Sequence, residues 1–356
     1  MSEKNISENT LILGNIGCGA LTKIIPAIIK KCSGNYIVVD SHNMIYDESK
    51  DTLLENGYDV KCLRYSGDSD IHYNPFSNVT DINKNFSAFA EIIASGHIYA
   101  CNEDDQIKEH NALEKAMIEA YAENKEATTI TNVADKYEKL FNNKACKNNE
   151  PATPILDFLR TIAEAQIVNE RSKESINFQT FLSEKTKSAL FIELDNENFE
   201  VTNIITNMFI YQVSTILASR NIDEPTYSII TNNTKIDMDI IATMSFKNLN
   251  YICYYQNLEG LEFNSNISIV SNFNNILMMQ TNSVITRRFY KGTIAAMTKN
   301  DMDYLQNETE LKVNPIINKT DAITLTKPIT ENDIFDLGHK KYIVSINGYK
   351  PVISNL

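Results

Sequence analysis

One stretch decides the fold class: residues 10–29 read TLILGNIGCGALTKIIPAII. Its first four residues form a short apolar run that ends at a glycine, which predicts a buried parallel strand. Three glycines then punctuate a loop, and apolar residues with helical spacing follow from Ile24 to Ile29. Pro26 fits only the first turn of that helix, because proline has no amide hydrogen to donate. Strand, glycine loop and helix in this order form the setting in which backbone N–H groups and a helix N-terminus bind phosphate.

Outside that stretch, short apolar runs alternate with helix-length segments. Strands are predicted at residues 36–40, 59–65, 188–194, 227–230, 250–255 and 275–279. Strands separated in this way predict a doubly wound α/β sheet. A further strand at 341–346 is followed by Asn347-Gly348, the strongest short signal for a hairpin, and by a strand that ends at Ile353.

The pattern changes between residues 79 and 182, where apolar residues follow helical spacing. Phe86, Phe89 and Ile93 form one such apolar face, and a further helix is predicted from Ile155 to Val168. Because strand signals are few in this block, we predict a helical insertion in the α/β sheet.

Composition excludes several classes of protein. The 356 residues include 33 Lys and Arg against 46 Asp and Glu, a net charge of −13. Non-specific binding to nucleic acid rests on neutralising phosphates with Lys and Arg, so this balance argues against a general polyanion binder. No stretch approaches the roughly 18 apolar residues of a membrane span. The six cysteines are scattered without a metal-binding spacing, which predicts free thiols in a reducing compartment and no metal site.

The glycine loop departs from the phosphate-binding motif G-x-x-x-x-G-K-[ST] at its two chemical positions. The matching segment is Gly14-Asn15-Ile16-Gly17-Cys18-Gly19-Ala20-Leu21. Ala20 stands where a lysine would reach the phosphates, and Leu21 where a hydroxyl would ligate Mg²⁺. Lys23 lies nearly one helical turn further on. Losing the lysine alone predicts about ten- to hundredfold weaker nucleotide binding. The alternative is a glycine turn that binds no ligand.

Taken in order, several stretches resemble the type IV secretion coupling proteins, the TraG/TraD-like ATPases of conjugative DNA transfer. They are residues 9–19, 36–40, 54–58, 187–192 and 343–351, together with Tyr73-Asn74-Pro75-Phe76. The resemblance implies a RecA-like P-loop NTPase-type parallel sheet with helices on both faces, interrupted by an inserted all-α domain. It assigns residues 1–78 and 183–356 to the RecA-like domain and residues 79–182 to the insertion. It also implies N-terminal transmembrane helices, and since the first strand begins at Thr10 we expect a form without that anchor.

The resemblance also shows which catalytic groups are replaced. The family's second acidic motif is a strand that ends in Asp-Glu, whereas the matching strand here ends in Thr231-Asn232. The aspartate would hold Mg²⁺ and the glutamate would activate water, and neither replacement carries charge. Gln256 resembles the family's polar sensor. With Ala20 and Leu21, these replacements favour a protein that is not an enzyme and has no catalytic residue. Its cofactor is then none, or weakly bound ATP or ADP without Mg²⁺.

Other residues carry weaker signals. The best basic cluster is Arg287, Arg288 and Lys291, which is either a partner contact, a vestigial inter-subunit arginine finger or a solvated run of charge. Cys18 lies at a predicted helix N-terminus, which lowers the pKa of a thiol, although burial would oppose this. Asp40-Ser41-His42 is more typical of a helix cap and a solvated histidine than of acid–base chemistry.

We therefore expect a pseudo-ATPase that acts as an accessory or adaptor subunit in conjugative DNA transfer. Its expected partners are proteins of a conjugation or secretion machine, such as an active ATPase paralogue or a relaxase. Its expected location is the cytoplasm, or the inner face of the membrane through those partners. Two alternatives stay open: an active ATP-driven DNA translocase with substitute residues such as Asp195, and a soluble receptor for relaxase or effector proteins through the all-α domain. Contact with DNA and oligomer formation also stay open.

Overall fold

Ten strands form one mixed sheet in the part of the chain that the structure describes. The computed structural model describes residues 9–31, 34–41, 43–65, 69–96, 103–142, 154–165, 175–183, 187–194, 198–218, 227–232, 249–258, 273–294, 323–324, 329–338, 341–346 and 351–355. The strands are β1 Thr10–Leu13, β2 Asn35–Asp40, β3 Asp59–Arg64, β4 Ser188–Glu193, β5 Tyr227–Asn232, β6 Leu249–Tyr255, β7 Asn275–Met278, β8 Ile323–Thr324, β9 Lys341–Ile346 and β10 Val352–Asn355. Their order across the sheet is β3-β4-β2-β5-β6-β1-β7-β9-β10-β8.

The middle of the sheet is parallel, as the sequence predicts. Strands β2, β5, β6, β1 and β7 are parallel neighbours. Every residue of β1 and β2 is buried, which explains the apolar runs at residues 11–13 and 36–39. Because these strands run in the same direction, their carboxyl ends meet at one edge of the sheet.

An antiparallel extension completes the sheet beyond β7. The predicted final hairpin is confirmed, since β9 pairs antiparallel with both β7 and β10, and Val344 lies opposite Val352. The second strand begins at Val352, and the Asn347-Gly348 turn lies outside the described residues. Strand β8 was not predicted, because two residues are too few to show an alternation.

The chain forms two compact units that interleave along the sequence. We call Met1–Val60, Thr186–Phe191 and Arg220–Leu356 the sheet unit, and Lys61–Lys185 and Ile192–Ser219 the helical unit. The domain bounds predicted from the sequence, at residues 78 and 182, stay a prediction.

In the sheet unit, the chain leaves β1 through the glycine loop and enters a π-helical turn. This turn, Ala20–Ile24, runs directly into helix α1, Ile25–Ile29. Pro26 therefore lies in the first turn of the regular helix, but a wider turn precedes it. Pro26 has no amide hydrogen to donate to the carbonyl of Thr22, so the regular α-helical hydrogen-bond pattern is interrupted at this position. The other helical segments of this unit are α2 Met44–Glu55, Val284–Phe289, the π-helical turn Tyr290–Ile294 and Glu331–Phe335.

The helical unit confirms the predicted helical block. Its helices are α3 Ile82–Gly96, α4 Glu103–Asn124, α5 Ile130–Asn142, α6 Pro154–Glu164, Phe178–Ser183 and Phe199–Ala218. The helix predicted over 155–168 is observed as α6, and residues 166–168 lie outside the described part. The expectation that no stretch approaches the length of a membrane span was wrong for Phe199–Ala218, the one described helix that is long and apolar enough for it. Most of this helix is buried inside the protein, as in a core helix.

The Tyr73-Asn74-Pro75-Phe76 motif has a structural explanation. The hydroxyl of Tyr73 donates to Oε1 of Gln212 at 2.6 Å, and Nε2 of Gln212 donates to the carbonyl of Pro75 at 2.8 Å. Both side chains are buried away from water, so their polar atoms must find hydrogen-bond partners within the protein. The ring of Phe76 packs edge-on against Phe86 of α3. The motif therefore connects the start of the helical block to two helices, Phe199–Ala218 and α3.

Candidate functional site

The strand register brings the predicted site residues to one edge of the sheet. Leu13, the last residue of β1, lies opposite Tyr255 of β6 and Met278 of β7. On the far side of β6, Asn232 of β5 lies opposite Tyr254. The glycine loop follows β1, and Gln256 follows the neighbouring strand β6. Thr231-Asn232 end β5, which is the next strand across the sheet.

The backbone of the loop is held by the strands on both sides. The amide of Gly14 donates to the carbonyl of Tyr255 at 3.1 Å, and the amide of Asn15 donates to that of Gln280 at 3.0 Å. A Cβ atom at Gly14 would lie 2.7 Å from Cβ of Met279. Position 14 therefore requires glycine for close packing, independently of any ligand.

The other two glycines supply unusual backbone angles. Gly17 has φ +83° and Gly19 has φ +96°, a region that favours glycine. The amides of Lys23 and Ile24 both donate to the carbonyl of Gly19, at 3.0 and 3.1 Å, which forms the wide turn. Lys23 is exposed and does not line the cavity described below, as its position in the sequence predicts.

Asn15 ties the loop to the segment that follows β7. Its Oδ1 accepts hydrogen bonds from the hydroxyl of Thr281 and the amide of Asn282, both at 3.3 Å. Ser283, the next residue, caps the Val284–Phe289 helix by accepting from the amide of Thr286 at 3.0 Å. Asn15 therefore has a structural role within the candidate site.

Cys18 turns its side chain into the loop. The thiol is 2% exposed and donates to Sδ of Met279 at 3.4 Å. Burial raises the pKa of the Cys18 thiol, although hydrogen bonds from the Ala20 amide and with Tyr254 oppose the shift. Burial therefore outweighs the helix N-terminus at this cysteine, and the structure favours a packing role over a reactive one.

A cavity of about 170 Å³ opens at the loop. Its walls are Ile16, Gly17, Cys18, Gly19, Ala20, Leu21, Thr22, Met44, Tyr254 and Gln256. None of these lining residues, all in the described part of the chain, carries a charge. The predicted loop and Gln256 are thus brought together, whereas Met44 and Tyr254 were missed. Methionine and tyrosine carry no local signal for such a site; only strand order brings Tyr254 here.

The residues present do not fit a nucleoside triphosphate with its Mg²⁺. Ala20 is 1% exposed and Leu21 is 9% exposed, and both present only carbon at the positions of the motif's lysine and hydroxyl. Thr231 is fully buried in β5 and has no carboxylate. Within the described residues, no group of three His, Cys, Asp or Glu side chains could hold a metal ion.

The weaker candidates lie elsewhere or act structurally. Oδ2 of Asp40 accepts from the amides of Ile45 and Tyr46, at 2.8 and 2.9 Å, so the expected helix cap is confirmed. His42 and Asp195 lie outside the described residues. Of the six cysteines predicted as free thiols, Cys18, Cys62 and Cys253 are free and buried, and the other three lie outside the described residues.

The basic cluster is separate from the lining of the cavity and has an acidic partner. Arg288 and Lys291 both form ion pairs with Glu331, with nitrogen–oxygen distances of 3.6 and 3.7 Å. The guanidinium of Arg287 stacks on the ring of Phe335 at 5.1 Å from its centre. The cluster therefore joins two short helices of the sheet unit, although Arg288 is still 72% exposed.

Comparison with known proteins identifies the fold. No protein-family model and no curated protein sequence matches the chain. The unbound bacterial conjugative coupling protein TrwBΔN70 superposes with a TM-score of 0.66 at 10% identity, over 98% of this chain and 84% of the TrwBΔN70 chain. The chain has the fold of a conjugative coupling protein. TrwB in complex with ADP and Mg²⁺ matches with a TM-score of 0.62 at 10% identity, over 100% of this chain and 87% of TrwB. VirB4 of Thermoanaerobacter pseudethanolicus matches with a TM-score of 0.61 at 13% identity, over 100% of this chain and 91% of VirB4.

The coupling-protein fold confirms the RecA-like sheet with its inserted helices, and the resemblance inferred from the sequence is confirmed at the level of the fold. At 10–13% identity the likeness does not transfer an activity. What the site does has to be argued from its own residues.

Proposed function

We propose that this protein is a catalytically inactive relative of the type IV secretion ATPases, acting as an accessory or adaptor subunit in conjugative DNA transfer. One observation carries the proposal: the cavity at the phosphate-type loop has no charged lining residue. Phosphoryl transfer depends on cationic groups and metal ions that neutralise charge as it develops. A loop with Ala20 and Leu21 at the two chemical positions supplies neither.

The integrity of the surrounding structure supports the same proposal. The sheet keeps its parallel core, the loop keeps its framing glycines, and buried hydrogen bonds hold it on both sides. The replaced groups are those that perform the reaction, while the groups that build the fold are retained. This combination suits a protein that is kept for binding.

Weak binding of ATP or ADP without Mg²⁺ is compatible with this proposal. Backbone amides of the loop and the start of the helical segment still favour an anion. The missing lysine weakens that binding about ten- to hundredfold, and nothing at Leu21 would make it depend on Mg²⁺. The complex of TrwB with ADP and Mg²⁺ therefore differs from what we expect here.

We further propose that the partners are proteins of a conjugation or secretion machine, including an active ATPase paralogue or a relaxase. The net charge of −13 favours proteins over DNA, because a duplex would repel an acidic chain. The proposed location is the cytoplasm, or the inner face of the membrane through these partners.

The test has a biochemical part and a genetic part. Purified full-length protein with ATP and Mg²⁺ should show no turnover, with or without single-stranded DNA. Steady turnover that a Gly19→Val change abolishes would instead support the active translocase. In cells, deletion of the gene should lower transfer of the plasmid. An Asn232→Ala variant should restore transfer fully, because Asn232 carries no catalytic group in this proposal.

The receptor alternative also has a test, but it needs the full chain. Within the helical unit, α3 packs against the Phe199–Ala218 helix through the rings of Phe89 and Tyr211, whose centres are 6.3 Å apart. A fragment of residues 79–182 would lack that helix. Substitutions of exposed residues such as Ile107 and Ile118 of α4 in the full protein therefore test the helical surface better. Loss of partner binding in these variants would favour the receptor.

A further inference from the structure

We propose that the cavity at the glycine loop is a binding site for a small, uncharged and largely apolar ligand. This inference rests on the proposed function, since it assumes that the loop no longer turns over a nucleoside triphosphate and binds one only weakly. The inference goes beyond the proposed function because it names the class of ligand that this cavity would bind.

The chemistry of the walls is the first argument. Ile16, Ala20, Leu21 and Met44 supply apolar side chains to the cavity. An anion placed against them would lose its hydration without gaining a cation, which is costly in free energy. An uncharged ligand loses little hydration on the same surface and gains from removing apolar area from water.

The second argument is that the loop partly satisfies its own amides. The amide of Cys18 donates to the carbonyl of Asn15 at 3.1 Å, within the loop itself. Cys18 lies in the glycine loop, where a free amide would help to bind phosphate. One of the groups that would favour an anion is therefore already used within the protein.

Size is the third argument. The cavity holds about 170 Å³. An apolar cavity of about 150 Å³ in another protein takes up benzene, whereas sites for drug-sized ligands hold about 300–1,000 Å³. This cavity therefore suits a ligand close to benzene in size. Thr22, Tyr254 and Gln256 add polar atoms to the walls, so one hydroxyl or amide group on the ligand would be tolerated.

Methionine methyl groups provide a direct readout in the intact protein. Met44 lines the cavity and is 39% exposed, whereas Met117 is fully buried within α4 of the helical unit and serves as the internal reference. Full-length protein labelled with ¹³C at the methionine methyls is titrated with phenol, and separately with ATP in the absence of Mg²⁺. We expect a saturable shift of the Met44 signal with phenol at millimolar concentration and no shift of Met117.

Two variants locate the binding. Ala20→Phe fills the cavity and should weaken the affinity for phenol at least about tenfold, as expected when an apolar pocket is occupied. Ala27→Phe is the matched control, because Ala27 is exposed on the same helical segment, and it should leave the affinity unchanged. If Ala20→Phe does not fold, Met44→Lys replaces it, with phenol binding measured by calorimetry. That variant should lose affinity for phenol and gain affinity for ATP.

The possible outcomes separate this inference from the proposed function. Saturable phenol binding that Ala20→Phe weakens and Ala27→Phe does not supports the inference. Absence of saturation, equal effects of both variants, or tighter binding of ATP than of phenol overturns it. The proposed function fails if ATP is turned over or if deletion of the gene leaves plasmid transfer unchanged, and both are measured independently of phenol binding.

Discussion

The thiol of Cys18 donates a hydrogen bond to the thioether sulfur of Met279, with 3.4 Å between the sulfur atoms. This bond joins the glycine loop to the residue that follows β7, and the amide of Cys18 donates to the carbonyl of Asn15 within the loop at 3.1 Å. The loop is therefore held by packing and internal hydrogen bonds. Such a loop keeps its shape without a bound phosphate, which is what a non-catalytic role requires.

The reactivity of Cys18 tests this arrangement. Because burial raises the pKa of the thiol above its ordinary 9.0, the nucleophilic thiolate is scarce near pH 7.5, and access to it is limited. We expect iodoacetamide to modify Cys18 at least about tenfold more slowly in the native protein than in urea. Peptide mass spectrometry measures the rate for this site alone. A native rate above the unfolded rate would contradict the packing role.

Stability should fall at alkaline pH. Burial raises the pKa of the Cys253 thiol from 9.0 to about 12, so the folded state keeps a proton that the unfolded chain releases. The contribution is complete below pH 9 and is lost as the pH rises from 9 towards 12, by about 1.4 kcal/mol per pH unit. Urea unfolding at pH 8 and pH 10 measures the loss. A Cys253→Val variant should show a smaller loss, and an equal loss would assign the effect to other groups.

Gly14→Ala should destabilise the protein by about 1–3 kcal/mol, as overpacking does. The added Cβ would lie 2.7 Å from Cβ of Met279 and 3.0 Å from Sγ of Cys18. Gly292→Ala is the matched control, since nothing lies within 4 Å of its added Cβ and its φ is not positive. Because it replaces a glycine in a helical turn, it should leave the free energy of unfolding unchanged or raise it by up to about 1 kcal/mol. Similar free energies of unfolding for the two variants in urea would show that the loop can shift to accommodate the added Cβ at little cost.

Tyr73→Phe should cost about 1–3 kcal/mol, because it leaves Oε1 of Gln212 buried without its donor. Tyr211→Phe is the control, because Tyr211 is the residue next to Gln212 in the Phe199–Ala218 helix. The Tyr211 hydroxyl makes a longer bond, 3.3 Å to the carbonyl of Lys84, at the surface. Its loss should cost less than about 0.5 kcal/mol. Equal costs in chemical denaturation would mean that the buried pair is not what stabilises the helical unit.

The sequence predicts local features of this protein well and non-local ones poorly. The strand at Thr10–Leu13 and its loop are recognisable because three buried apolar residues directly precede a glycine. The π-helical turn was missed, since a helical pattern does not reveal where Pro26 forces a wider turn. Tyr254 and Met44 were missed because their place at the cavity depends on which strands are neighbours, and neither residue type signals a site. The replacements at Ala20 and Leu21 were visible because they interrupt a motif with fixed spacing.

Restoring the motif gives the sharpest test of what has been lost. In an Ala20→Lys, Leu21→Thr variant, the lysine would enter a cavity that has no other charged lining residue. We expect about ten- to hundredfold tighter binding of ATP without Mg²⁺, measured by calorimetry. Turnover should remain at background, because Thr231 and Asn232 provide no carboxylate for a metal ion or for water activation. Ala27→Lys adds the same charge on the exposed side of the same helical segment and should not tighten binding. If the two loop substitutions alone produced Mg²⁺-dependent turnover, the remaining catalytic groups would have to lie on other residues, and the active translocase would be the better account.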